Sequence, residues 1–121
     1  MGLSIAEVSE QTGLSAHTLR YYERDGLMLH DVPRTSSGRR EYSDQDVTGI
    51  IMVARLRATG MPVREIRRYA ALVRAGKSTE GERLQLLVAH RERVLVQLEE
   101  VRDNLRAIEA KIDGYRSSVG C

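Results

Sequence analysis

Two clusters of arginine and tyrosine stand out in this chain. The first lies in Ser15-Ala-His-Thr-Leu-Arg-Tyr-Tyr-Glu-Arg-Asp-Gly26, the second in Gly38-Arg-Arg-Glu-Tyr42. A guanidinium can pair bidentately with a phosphate or with the edge of a guanine, and a phenol hydroxyl can donate to phosphate. Arg20, Tyr21, Arg39, Arg40 and Tyr42 therefore form a candidate surface for duplex DNA.

The remaining chemistry-bearing residues are sparse. His17, His30 and His90 are too scattered for a metal site, and Cys121 is the only cysteine, at the last position. A closed thiolate site needs two or more soft ligands, so no metal and no cofactor are expected. There is no glycine-rich phosphate loop, no nucleophile beside a base and no pair of acids in a cleft-like context, so no enzyme is expected. One thiol makes no internal disulfide, no run approaches the roughly 20 apolar residues of a membrane span, and the first fifteen residues lack a signal-peptide pattern. A cytoplasmic protein without membrane contact is the expectation. The net charge of +2 is uninformative by itself. Residues 55–74, however, hold six arginines (Arg55, Arg57, Arg64, Arg67, Arg68, Arg74) against Glu65, a local +5. Such density attracts phosphate, although the same count fits a solvated helix face.

These groups need elements to hold them. Ser4 and Glu7 have the spacing of a capping box, which starts a helix at Ile5 with Ile5 and Val8, and Ala6 beside them, facing inward. Gly13 ends it, Leu14 fills the corner and Ser15 caps the next helix. Two short helices across a glycine turn are the helix-turn-helix pattern. On the second helix Leu19 and Tyr22 point inward, while Thr18 and Tyr21, flanked by His17 and Arg20, share another face. Gly26 ends it. Leu27–Val32 reads as a short strand, Pro33–Gly38 as a turn and Arg39–Tyr42 as the returning strand of a small hairpin, or wing. Ser43 caps a third helix, with acids in its first turn and Val47, Ile50, Ile51, Ala54 and Leu56 as its apolar face. After Thr59-Gly60, Pro62 fits the first position of a fourth helix, whose inner face is Val63, Ile66, Tyr69, Ala70 and Val73. Gly76–Gly81 is a break, and the domain boundary is placed there: residues 1–76, then 77–121.

The clearest period lies in residues 82–115. Steps of three and four from Leu84 give Leu87, Arg91, Val94, Leu98, Val101, Leu105, Ile108, Ile112 and Tyr115, so nine of ten seam positions are apolar. A helix of this length, about 50 Å at ~1.5 Å per residue, exceeds the width of the preceding domain. Each wet side chain would forfeit about 2 kcal/mol. A second copy of the chain is the expected cover, with dimerisation through Leu84, Leu87, Val94, Leu98, Val101, Leu105, Ile108 and Ile112; docking on the chain's own first domain is the alternative.

Thr18-Leu-Arg-Tyr-Tyr-Glu23, Gly26-Leu, Arg39-Arg-Glu-Tyr42 and Leu56-Arg-Ala-Thr-Gly-Met61 with Glu65-Ile66 stand in the order and spacing of one family. Over residues 3–75, and again in the long terminal helix, the chain resembles the MerR family of bacterial transcription regulators. The resemblance implies a mainly α fold: a winged helix-turn-helix DNA-binding domain with a β-hairpin wing, then a long helix that forms an antiparallel coiled coil in a homodimer. It implies promoter DNA as partner, distorted between the −35 and −10 elements so that RNA polymerase can use it. By position, His17, Thr18 and Arg20 are candidates for base or phosphate contact. Tyr21, Arg40, Tyr42 and Arg57 are candidates to grip phosphate, with Ser4, Arg39 and Arg64 beside them. Tyr22 reads as core and Glu23 as structural.

The effector is where the chain departs from the family. Metal-sensing members carry cysteines around the long helix, whereas residues 76–81 contain neither Cys nor His. Short members that respond to aldehydes or thiol-reactive stress carry a cysteine in the third helix, where this chain has Arg55; the sequence is otherwise closer to that type. A small-molecule effector, or a redox effector acting on Cys121, stays open. So does an architectural DNA-bending protein without effector control, like a phage excisionase.

Overall fold

Ser4 opens α1 (Ile5–Thr12) as its spacing to Glu7 dictates: the Ser4 N–H donates to Glu7 Oε1 at 3.0 Å and the Glu7 N–H returns to Ser4 Oγ at 3.2 Å. The computed structural model describes residues 2–120. Cys121 and any role for it lie outside the described residues. Gly13, at φ 76°, closes α1 in the left-handed conformation that a side chain disfavours. The turn to α2 (Ala16–Arg24) is held by side chains: Ser9 Oγ donates to the Leu14 carbonyl at 2.6 Å and the Leu14 N–H donates to Thr12 Oγ1 at 3.2 Å. Val8, Leu19 and Tyr22 are buried and Ile5 packs beside them; Ala6 is exposed, because it lies on the outer side of this short helix.

Residues 27–42 depart from the expected hairpin. Leu27–Val32 is not a strand. Leu27, Met28 and Leu29 are all buried in succession, so they fill the core rather than alternating between two faces as a half-buried strand must. Gly49 makes room for Leu29: a Cβ there would stand 3.3 Å from the Leu29 side chain. What remains of the wing is a loop with one antiparallel bridge, Arg34 to Arg40, while Tyr42 pairs with Leu3 instead of extending that ladder. Pro33 brings no N–H to a ladder, which helps keep it short.

Ser43 caps α3 (Asp44–Ala58) with a second capping box, completed by Asp46, whose carboxylate accepts from the Ser43 N–H at 2.8 Å. The inner face of α3 is Ile50, Val53 and Leu56, with Val47 at its edge; Ile51, expected inside, is 37% exposed. Pro62 is the cap of α4 (Val63–Ala75) rather than its first residue, and Ile66, Tyr69 and Ala70 are buried as their spacing requires. α1 packs on α2 and α3, and α3 on α4.

The break after α4 is shorter than Gly76–Gly81 implies. A 3-10 turn at Lys77–Thr79 leads directly into α5 (Glu80–Val119), 40 residues or about 60 Å at ~1.5 Å per residue. The helix runs through Gly81 and Gly114 and continues beyond the 82–115 period as far as Val119. The chain forms two compact units, one to Leu87 and one from Val88. Leu86 and Leu87 pack against the core of the first unit, so Leu87 belongs in part to that core rather than wholly to the seam. In the second unit Leu98, Val101, Leu105, Ile108 and Ile112 are 42–61% exposed.

Candidate nucleic-acid interface

Helix α2 presents its polar face because its apolar face is fixed. With Leu19 and Tyr22 buried, His17 and Arg20 are exposed and Thr18 and Tyr21 half-buried. Ser15 caps the helix through the Thr18 N–H at 3.0 Å and also donates its hydroxyl to Thr18 Oγ1. The Tyr21 ring leans on the core at 6.2 Å from that of Tyr22, with the Arg24 guanidinium 5.9 Å above it.

The loop between Pro33 and Glu41 lies against the same helix. The Thr35 N–H donates to the Arg39 carbonyl at 2.7 Å and the Glu41 N–H to the Pro33 carbonyl at 2.9 Å. Glu23, in the last turn of α2, accepts from Arg34 Nη2 at 2.7 Å with one oxygen and from Arg40 Nε at 2.9 Å with the other. Arg40 is thus half-buried and oriented, whereas the Arg39 side chain is exposed. Arg39 and Arg40 meet Ser4 across a cleft of about 290 Å³ also lined by Glu7, Thr35 and Ser37. The structure thereby joins Ser4 to two candidates that lie more than thirty positions away in sequence.

Tyr42 is a correction. Expected to grip phosphate, it is 1% exposed and belongs to the core, because its backbone pairs with Leu3 and turns the ring inward. Among the described residues its hydroxyl has no hydrogen-bond partner. Burial pushes the phenol pKa up, against the positive field of Arg40. Burial likewise raises that of Tyr22, opposed by Arg57.

The arginine-rich stretch is not uniform: Arg68 lies 3.8 Å from the Glu82 carboxylate, and two other arginines turn to the chain's own carbonyls. Arg67 Nε donates to the Asp25 carbonyl at 2.8 Å, and Arg74 donates to the Gly26 and Met28 carbonyls, so these two satisfy the chain end of α2. Arg57 and Arg64 are exposed, and among the described residues neither they nor the Arg20 and Arg39 side chains make a hydrogen bond or ion pair. Arg34 and the bridging role of Glu23 were not legible beforehand. Their only signal was opposite charge, and the pairing depends on how the loop folds back.

Residues 3–72 match the family model for MerR HTH family regulatory proteins. The chain belongs to the MerR family. It is 33% identical over 118 residues to an HTH-type transcriptional regulator of Haemophilus influenzae, covering 98% of this chain and 87% of that one. It is 37% identical over 93 residues to the regulator AdhR of Bacillus subtilis, covering 77% of this chain and 66% of that one. The structure of HiNmlR, described as a MerR family regulator lacking the sensor domain and bound to promoter DNA, superimposes with a TM-score of 0.89 at 32% identity, covering 100% and 95% of the two chains. A MerR family regulator from Listeria monocytogenes gives 0.87 at 34%, covering 93% and 85%. This MerR-family chain is accordingly a transcriptional regulator and not an enzyme. Among its described residues no group of three or more His, Cys, Asp or Glu side chains gathers as a metal site, and no helix is long and apolar enough to cross a membrane.

Proposed function

We propose that this MerR-family regulator is a homodimer that binds a two-fold-related promoter site and distorts the DNA between the −35 and −10 elements for RNA polymerase. Residues 1–76 are its DNA-binding domain and residues 77–121 its dimerisation segment, and it acts in the cytoplasm. Helix α2 enters the major groove, where His17, Thr18 and Arg20 reach base edges or phosphates. Tyr21, Arg39, Arg40, Arg57, Arg64 and Ser4 hold the backbone. The observation that carries this reading is the division of the arginines. Arg67 and Arg74 are bound to carbonyls of the chain itself, while Arg20, Arg39, Arg57 and Arg64 are exposed and unpaired among the described residues. The promoter complex of HiNmlR supports it. The exposed seam from Leu98 to Ile112 supports a second copy as partner. A small-molecule or redox effector would shift the population of the distorting state.

The test is a titration of the purified protein against DNA upstream of its own gene and against random duplex, over a range of salt, with footprinting of any complex. A specificity ratio of about 10³ or more is expected. Arg20→Ala should cost about 1–3 kcal/mol of affinity for the specific site. Equal binding to both DNAs with a steep salt slope would sink the regulator and favour an architectural binder.

A further inference from the structure

We propose that Glu23 is a positioning residue: its carboxylate clamps the 33–41 loop to α2 and so fixes the distance between the groups that reach bases and the groups that hold phosphate. This rests on the DNA-binding reading above. Three observations carry it.

The first is where Glu23 stands. It lies in the last turn of α2, at the negative end of the helix dipole, where a carboxylate is unfavourable. The helix itself gains nothing from an acid there. The second is what it holds. Arg34 and Arg40 face each other across the one bridge of the loop, and like charges so opposed repel. Glu23 takes Arg34 on one oxygen at 2.7 Å and Arg40 on the other at 2.9 Å, with its own side chain and that of Arg40 each 23% exposed. One carboxylate thus offsets the repulsion and ties both arms of the loop to the same helix turn. The third is what the loop otherwise lacks. No residue from 33 to 41 is buried, so between Val32 and Tyr42 no apolar side chain anchors it in the core. Beyond Glu23, the loop is tied by the Gly2 N–H to Glu41 at 3.0 Å, close to the far end.

The clamp leaves binding capacity in place. Two guanidiniums and one carboxylate keep a net positive charge, and the Arg34 side chain is 44% exposed. A phosphate can therefore meet unused N–H groups of both arginines while Glu23 holds them.

The electrostatic and the positional effects of Glu23 have opposite signs, which makes the test decisive. Glu23→Gln adds one net positive charge per subunit. If Glu23 only screened charge, the substitution would tighten binding to every DNA. If it positions the loop, binding to the footprinted site should weaken about tenfold, near 1.4 kcal/mol, while binding to random duplex stays equal or tightens. Glu23→Asp, which keeps the charge, should recover part of the loss. In the free protein, hydrogen exchange at the amides of Thr35, Gly38 and Glu41 should quicken in Glu23→Gln with the thermal midpoint near wild type. Tighter binding to both DNAs, or equal weakening of both with a lowered midpoint, would overturn the proposal. Unchanged exchange at the three amides would overturn the clamp whatever the DNA result. Absence of a specific complex with the wild-type protein would instead strike the DNA-binding reading, with the exchange measurement still deciding the clamp.

Discussion

Helices α3 and α5 each carry an apolar stripe at helical spacing, yet they meet opposite fates. On α3, Ile50, Val53 and Leu56 are 1–5% exposed, covered by the neighbouring helices and by the Leu27–Leu29 segment. On α5, Leu98, Leu105 and Ile108 are 42–56% exposed. The two stripes are built from the same side chains, so the difference is not one of hydrophobicity. A stripe about three turns long can be met by two short partners in a small domain. A stripe of about 50 Å needs a partner of equal length, and among the described residues of its own unit α5 has no second helix. Periodicity therefore says that a face must be covered; the supply of other elements decides whether the same chain covers it.

The comparison breaks first at the seam. Leu98→Asp should have the largest effect, because a carboxylate would be buried twice in each dimer at several kcal/mol per ion. Sedimentation should then show monomers, and affinity for the full DNA site should fall with dimerisation. A Leu98→Asp protein that stays dimeric, or that binds the full site as tightly as wild type, would remove the seam from the interface.

Matched truncations sharpen the contrast. Ile50→Ala should cost about 2–5 kcal/mol in urea unfolding, as expected for a large-to-small change in a closed core. Ile108→Ala, made in the monomeric Leu98→Asp background, should stay within about 0.5 kcal/mol, as at an exposed position. Similar losses at both sites would mean that α5 is covered by its own chain.

The smallest expected effect concerns the cap that starts the first unit. The Ser4 N–H, and then the Ser4 hydroxyl, hold the Glu7 carboxyl below its ordinary value of 4.5. A lowered folded-state pKa contributes stability above the unfolded value and loses it as pH falls through the folded one. The thermal midpoint of Glu7→Gln should therefore lie below that of wild type at neutral pH, with the gap closing well below pH 4.5. A gap that persisted in acid would place its origin elsewhere than the ionised cap.

Much of the first unit was legible before the structure, and for local reasons. Ser4 with Glu7, Gly13, Ser15 and Ser43 act within a few residues of themselves, so their spacing sufficed to start and stop three helices. The inward face of α4 followed from period alone. Residues 27–32 depart from a strand because Leu27-Met-Leu is apolar without alternation, and a consecutive apolar run can as well plug a core. Tyr42 departs from its expected place because one backbone pairing, with Leu3, decides which way its ring turns. Ile51 and Val53 exchange places relative to expectation because the partners of α3 cover an arc centred on Ile50 and Val53.

Short-range spacing sets the caps of α1, α2 and α3, the apolar period of α5 and the polar face of α2, since each depends on interactions a few residues long. Only the tertiary structure decided which arginines are bound to the chain's own carbonyls and which are exposed, that Glu23 joins Arg34 to Arg40, and that Ser4 meets Arg39 across one cleft. Those outcomes depend on groups 11 to 48 residues apart in the chain, whose approach is set by packing and by charge, neither of which leaves a period in the sequence.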